Sequence, residues 1–358
     1  STTPEPELAR RLLEQPAAEI APRLDRLARL FRLDTFEQDA LLICLAPELD
    51  LRYERLYAYL QDDVTRRRPT VDLILRLLTS SLEERVAARP ALGPSGRLFR
   101  AGLLALSDDA AARWPLLSRP LRVDERIAEY LLGSDLPDER IANFCELYRS
   151  GGIATELTLP DEVGPGLARL LADGGKAVER GPVVYLQGAP GTAKLATARA
   201  ACSAAERALL VIDVPALLAA ANPASGIVLA VHEASLQDAV LGLDGVDALL
   251  AEDGEPAVAG KLVRRLLAQR VGATLLLGEA RWEPSAWLPD ILALRIELAA
   301  PGIGTRMPLW RGQLDGWVNA VDVADLAGRY RLDGDAIKSV AAAARGRAAW
   351  RGDGQVEA

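Results

Sequence analysis

The residues best suited to chemistry lie in one segment, Gly188-Ala189-Pro190-Gly191-Thr192-Ala193-Lys194-Leu195. A short apolar run, Val183 to Leu186, leads into it, and a helical pattern follows from about Ala193. Strand, glycine-bearing loop, lysine and helix in that order suit the β- and γ-phosphates of a nucleotide. Loop N–H groups point inward, the helix N-terminus adds positive potential, and the lysine neutralises charge. The lysine is informative because the chain has only four: Lys176, Lys194, Lys261 and Lys338. Arginine fills nearly every other basic position.

The segment resembles the Walker A motif of the AAA ATPase superfamily, whose usual form is G-P-P-G-T-G-K-T. Gly188, Pro190, Gly191, Thr192 and Lys194 match it. The resemblance implies ATP or ADP as ligand and an α/β P-loop fold. That fold is a parallel five-stranded sheet flanked by helices, with a C-terminal helical lid. Two positions depart. Ala193 stands where the family has glycine, and a positive φ there would cost about 1 kcal/mol or more. Leu195 replaces the Ser/Thr whose hydroxyl ligates Mg²⁺. Leucine offers no oxygen to a cation that wants near-octahedral oxygen ligands, so hydrolysis should suffer more than binding.

The same resemblance assigns the other stations. Val240-Leu241-Gly242-Leu243-Asp244-Gly245 falls in the place of Walker B, with Asp244 as the carboxylate that would hold Mg²⁺ through water. Gly245 stands where the water-activating glutamate belongs, and glycine supplies no general base. Asp247 is near but displaced by two residues. Gly278-Glu279 takes the sensor 1 place. Gly334-Asp335-Ala336 is the stretch comparable with sensor 2 and lacks its arginine, leaving Arg331 and Lys338 as stand-ins. Arg281 is the one arginine in the interval of an arginine finger, and a plain surface role competes with that reading. Ala219 to Gly226, the pore-loop interval, has no aromatic residue. His232, the only histidine, reads as a surface or capping residue. No catalytic or metal-binding residue is assigned.

These stations need elements to position them. The runs Val183–Leu186, Leu209–Ile212, Ala239–Leu243, Thr274–Leu277 and Leu292–Ile296 are short, apolar and separated by helical stretches. Buried parallel strands have this pattern. Residues 160–300 are therefore expected to form the α/β domain, and 301–358 a lid. Its helices are expected to include Val323–Tyr330 and Asp335–Ala344. The stretch from Pro301 through Arg306 to Leu309-Trp310 resembles the family's connection into that lid. Before a boundary between Ser150 and Pro165, residues 1–150 read as a helical domain. Thr35 to Gln38 has the form of a capping box, Pro47 is expected to end the helix it starts, and Leu51–Leu60 and Val71–Leu78 supply two more helices. Gly102–Leu106 and Pro115–Leu121 read as the strands of a small wing, with Asp124 capping a helix from Glu125 to Leu132. Helices followed by such a hairpin suggest a winged helix.

A formal charge of −8 argues against a protein whose main task is neutralising nucleic-acid phosphates. The run Arg66-Arg67-Arg68 reads as a solvated helix end. Cys44, Cys145 and Cys202 have no metal spacing and suit free thiols in a reducing compartment. No segment reaches 18 uninterrupted apolar residues and no signal-like start is visible, so a cytoplasmic setting without membrane is expected. The only methionine is Met307, so the sequence reads as a fragment. The order of its parts is similar to bacterial AAA proteins with an N-terminal winged helix and a second AAA module, some associated with contractile injection systems. That implies a nucleotide-binding, assembly half of a tandem ATPase with low or no hydrolysis. Its partners would be proteins or further copies of itself. The alternatives are a slow but genuine ATPase, and a protein- or DNA-binding scaffold with an empty loop.

Overall fold

The computed structural model describes residues 20–107, 113–150, 163–172, 181–190, 192–250, 258–267, 272–288, 291–299, 302–314, 323–332 and 334–352. The chain divides into two compact units, Ser1–Leu136 and Pro137–Ala358.

The first unit is mostly helical. Its elements are α1 (20–31), α2 (Thr35–Leu49), α3 (Arg52–Leu60), α4 (Val71–Leu78), α5 (Leu82–Ala88), α6 (Arg97–Arg100), strands β1 (Leu104–Leu106) and β2 (Leu121–Val123), and α7 (Glu125–Leu131). Ala40, Leu41, Cys44 and Leu45 form the buried stripe of α2. With Ile74, Leu75, Leu98, Leu121 and Leu131 they belong to a core closed to solvent. Each leucine or isoleucine among them contributes roughly 1.5–3 kcal/mol by leaving water.

The capping box of α2 lies one residue earlier than the sequence suggests: Asp34 caps, and Glu37 reaches back to its N–H. Pro47 does not end α2 but sits inside it. A proline there leaves the carbonyl four residues back without its helical donor. That carbonyl belongs to Ile43, and the Tyr57 hydroxyl donates to it at 2.7 Å. The helix therefore runs through the proline at little cost. The wing also differs. β1 and β2 pair antiparallel with Leu104 opposite Val123. The expected second strand, Pro115–Leu121, is instead largely a 3₁₀ turn over Leu116–Ser118. Residues 108–112, between the two strands, lie outside the described residues. Asp124 caps α7 by accepting from Arg126 N, as expected. Arg66 to Arg68 lie in an irregular stretch beyond α3, not at a helix end. Gln61 donates to the Arg66 and Arg68 carbonyls, Arg68 pairs with Glu48, and Arg66 pairs with Asp63.

The second unit is an α/β fold. It contains β3 (Cys145–Tyr148), α8 (Val163–Ala172), β4 (Val183–Gln187), α9 (Lys194–Ala204), β5 (Leu209–Asp213), α10 (Val214–Ala219), α11 (Pro223–Leu236) and β6 (Val240–Asp244). After these come α12 (Val258–Leu267), β7 (Thr274–Gly278), α13 (Pro284–Trp287), β8 (Ala293–Glu297), α14 (Ile303–Leu314), α15 (Val323–Arg329) and α16 (Gly334–Arg351). The strand order is β3-β5-β6-β7-β4-β8. All neighbours pair parallel except β3, which runs antiparallel to β5. The sheet is thus mixed and six-stranded, where a parallel five-stranded one was expected. The sixth strand also comes from residues that the sequence reading placed in the N-terminal domain. Its Cys-Glu-Leu-Tyr sequence is only partly buried, so it lacks the apolar run of the others.

Two apolar layers cover the sheet. One joins Ile212, Leu241 and Leu243 to Leu217, Ile227 and Ala230. The other joins Val184, Leu186 and Leu277 to Leu167, Leu171, Ala198 and Ala201. A further cluster, Trp310, Leu314, Ala327, Ile337 and Ala341, unites the last three helices. Buried Arg306 ties α14 to α15 by donating from Nε and Nη2 to the Ala327 carbonyl at 2.9 and 2.7 Å. The thiols are free, and burial pushes each up to about 12.

Candidate functional site

Register sets the site. At the carboxyl ends of the parallel strands, Asp213 pairs with Asp244, Asp244 with Leu277, and Gln187 with Gly278. The chain leaves β4 here, crosses to β5, and returns through β6 and β7 to β4's side. Open α/β sheets bind ligands in the crevice at such a switch point. A cavity of about 230 Å³ lies there, lined by Thr192, Ala193, Lys194, Leu195, Asp244, Gly245, Asp247, Leu277, Gly278 and Glu279. The loop, the Walker B candidate and the sensor 1 candidate, far apart in sequence, meet around one space.

The loop is only partly the open cradle expected. Gly188 is buried and its N–H donates to the Gly278 carbonyl at 3.0 Å. Ala189 and Pro190 are exposed, and Gly191 lies outside the described residues. Thr192 is buried and gives both its N–H and its hydroxyl to the Ala189 carbonyl, at 3.2 and 2.9 Å. Lys194 Nζ donates to the carbonyls of Gly188 (2.8 Å) and Ala189 (3.2 Å). Two loop N–H groups and the lysine thus bind the protein's own carbonyls.

Further donors lie at the helix mouth. Ala193 is the N-cap of α9, has no side-chain oxygen, and makes no cap hydrogen bond. The first-turn N–H groups of a helix have no intrahelical acceptor, and Ala193, Lys194 and Leu195 at the start of this 11-residue helix line the cavity. Ala193 adopts φ 57°, ψ 34°, a left-handed conformation. A glycine at this position would hold that conformation without strain.

Leu195 is half-buried and packs against the apolar layer over Val184, Leu186 and Leu277. Asp244 ends β6, and burial holds its carboxyl above the ordinary carboxylate range. The Gly245 N–H and the Lys194 charge pull the other way, while Asp213 and Asp247 add to the rise. Among the described residues no three acidic, histidine or cysteine groups cluster as metal ligands. Asp244, Asp247 and Glu279 line the cavity, but both Asp247 oxygens are taken by backbone N–H groups and Leu195 offers no oxygen beside Asp244, a donor set that does not suit a protein-anchored Mg²⁺. Gly245 adopts φ +73°, and a Cβ there would stand 2.9 Å from Pro215 Cδ.

Asp247 was set aside in the sequence for its displacement, yet it is the best-anchored acid here. Its Oδ2 accepts from Glu279 N at 2.7 Å and its Oδ1 from Ala280 N at 3.0 Å. Tyr185 Oη donates to the Ala280 carbonyl at 2.7 Å. The role depends on β6 and β7 being neighbours, which no local pattern encodes. Other candidates fall outside the cavity. Arg281 is exposed and paired with Glu297 on β8 at 3.1 Å. Arg331 is exposed, Lys338 lies along α16, and His232 is half-buried on α11.

Residues 5–145 match a family model described as winged helix domain, variant. The chain therefore combines a winged-helix domain with an α/β fold built on a mixed sheet. No curated protein matches it. A solved chain from "Structural Basis for Katanin Self-Assembly" is similar at TM-score 0.42 and 17% identity, covering 57% of this chain and 75% of that one. Among the described residues no helix is long and apolar enough to cross a membrane.

Proposed function

We propose that residues 137–358 form an AAA-type nucleotide-binding module that holds ADP or ATP with little or no hydrolysis. In this reading it is the assembly half of a tandem ATPase, working beside the winged helix through protein partners or further copies. The observation that carries it is the meeting of Lys194, the uncapped start of α9 and Asp244 around one cavity at the carboxyl end of parallel strands. Hydrolysis needs a metal anchor and a base, and the places for them hold Leu195, packed on apolar residues, and Gly245. Positioning without these parts supports binding but not phosphoryl transfer.

A second reading, a scaffold with an empty loop, draws on one observation: the lysine and two loop N–H groups are bonded to the protein's own carbonyls. The two part experimentally. Equilibrium dialysis against labelled ATP should give saturable binding that survives chelation of Mg²⁺, while a phosphate-release assay stays at background. No binding at millimolar nucleotide leaves the scaffold. Mg²⁺-dependent release that disappears in Lys194→Ala replaces both readings with a working ATPase.

A further inference from the structure

We propose that this site selects a nucleoside diphosphate over a triphosphate, because Asp247 already fills the anion position at the end of β7. The inference rests on the nucleotide-binding reading and names its ligand more closely.

Two consecutive backbone N–H groups, those of Glu279 and Ala280, are a natural pair of donors for an oxyanion. Here both are taken, by the two oxygens of one carboxylate at 2.7 and 3.0 Å. The carboxylate is built in. Tyr185 holds the Ala280 peptide from its carbonyl side at 2.7 Å. Gly278 makes the approach feasible, since a Cβ there would stand 2.7 Å from Asp247 Oδ1 and 2.8 Å from Tyr185 Oη. An incoming phosphate would have to break this latch to use those donors.

Charge points the same way. Asp244, Asp247 and Glu279 line the cavity, with Lys194 as the one cation among its lining residues. The loop lysine and the start of α9 can balance a diphosphate. A third phosphate adds negative charge among three carboxylates, and Leu195 gives no hydroxyl to anchor a screening divalent ion. The cavity, about 230 Å³, is also smaller than the usual range for whole small ligands, which suits enclosure of a short phosphate tail.

The test is competition of ADP and ATP against a fluorescent ADP analogue, in EDTA, with the full chain. ADP is expected to bind at least about tenfold more tightly than ATP, roughly 1.4 kcal/mol. Asp247→Asn should reduce that preference. Because this variant also weakens the latch, Glu279→Gln serves beside it: it removes a lining charge and leaves both backbone bonds to Asp247 in place. A narrowed preference in Glu279→Gln supports the proposal whether or not Asp247→Asn folds. ATP binding as tightly as ADP overturns it and leaves nucleotide binding standing, and so does a preference unchanged in Glu279→Gln. Binding of neither nucleotide overturns the proposal through the reading beneath it.

Discussion

Lys194 Nζ donates to the Gly188 carbonyl at 2.8 Å, closing the loop on its own lysine. A phosphate can enter by exchanging neutral carbonyl acceptors for charged ones, and charge-assisted bonds are the stronger. Lys194→Ala should therefore cost about 10–100-fold in nucleotide affinity, the equivalent of the 1.5–3 kcal/mol typical of a bond to a charged group. The folded state should hardly notice. One bond is exposed and the other only part-buried, so the unfolding free energy is expected to stay within about 1 kcal/mol of wild type in urea.

Restoring the missing base by substitution should fail. Gly245 has φ +73° and faces Pro215. A side chain there pays left-handed strain of about 1–2 kcal/mol and must also push against the proline ring. Gly245→Glu is expected to lose about 2 kcal/mol or more in thermal unfolding and to release no phosphate above background.

Asp244 makes stability depend on pH with a definite sign. Its folded carboxyl titrates above the ordinary 3.8, mainly through burial. Below 3.8 both folded and unfolded chains are protonated there, and the group costs nothing. As pH rises from 3.8 to the folded value, the folded chain holds the proton longer than the unfolded one, so stability falls over that window and stays lower above it. Asp244→Asn keeps an acceptor for the Gly245 N–H and removes the charge. Its melting temperature should exceed wild type at pH 7, and the gain should vanish as pH approaches 3.8.

Tyr57→Phe tests how α2 tolerates its proline. The hydroxyl is the donor that replaces the N–H lacking at Pro47, through the Ile43 carbonyl. Removing it strands a backbone acceptor inside the helix, at about 1–3 kcal/mol. The Pro47→Ala, Tyr57→Phe double variant should recover much of that loss in a urea titration, since alanine supplies its own N–H.

Some of this was legible in the sequence because single segments carried the signal. β4, β5, β6 and β7 read cleanly because continuous apolar residues are what a strand covered on both faces requires. Val71–Leu78 was legible to the residue because Thr70 caps it and its apolar face is dense. What depends on partners was not. β3 is a half-exposed edge strand with no apolar run, and Pro47 lost its helix-breaking force to a tyrosine ten residues away. The wing's second strand slipped because Pro115 and Pro120 bracket a turn, not a strand. At the site, the loop and Asp244 carried recognisable spacing. Asp247 did not, because its acceptors' donors come from a loop 32 residues on.

The central claim is that the start of α9 and Lys194 hold a nucleotide without help from a side-chain-anchored metal. Calorimetric titration of the whole chain with ADP, once in Mg²⁺ and once in EDTA, tests it most directly. One-site binding of nearly equal strength is expected in both buffers. Heat of binding that appears only with Mg²⁺, or none at millimolar ADP in either buffer, would contradict it.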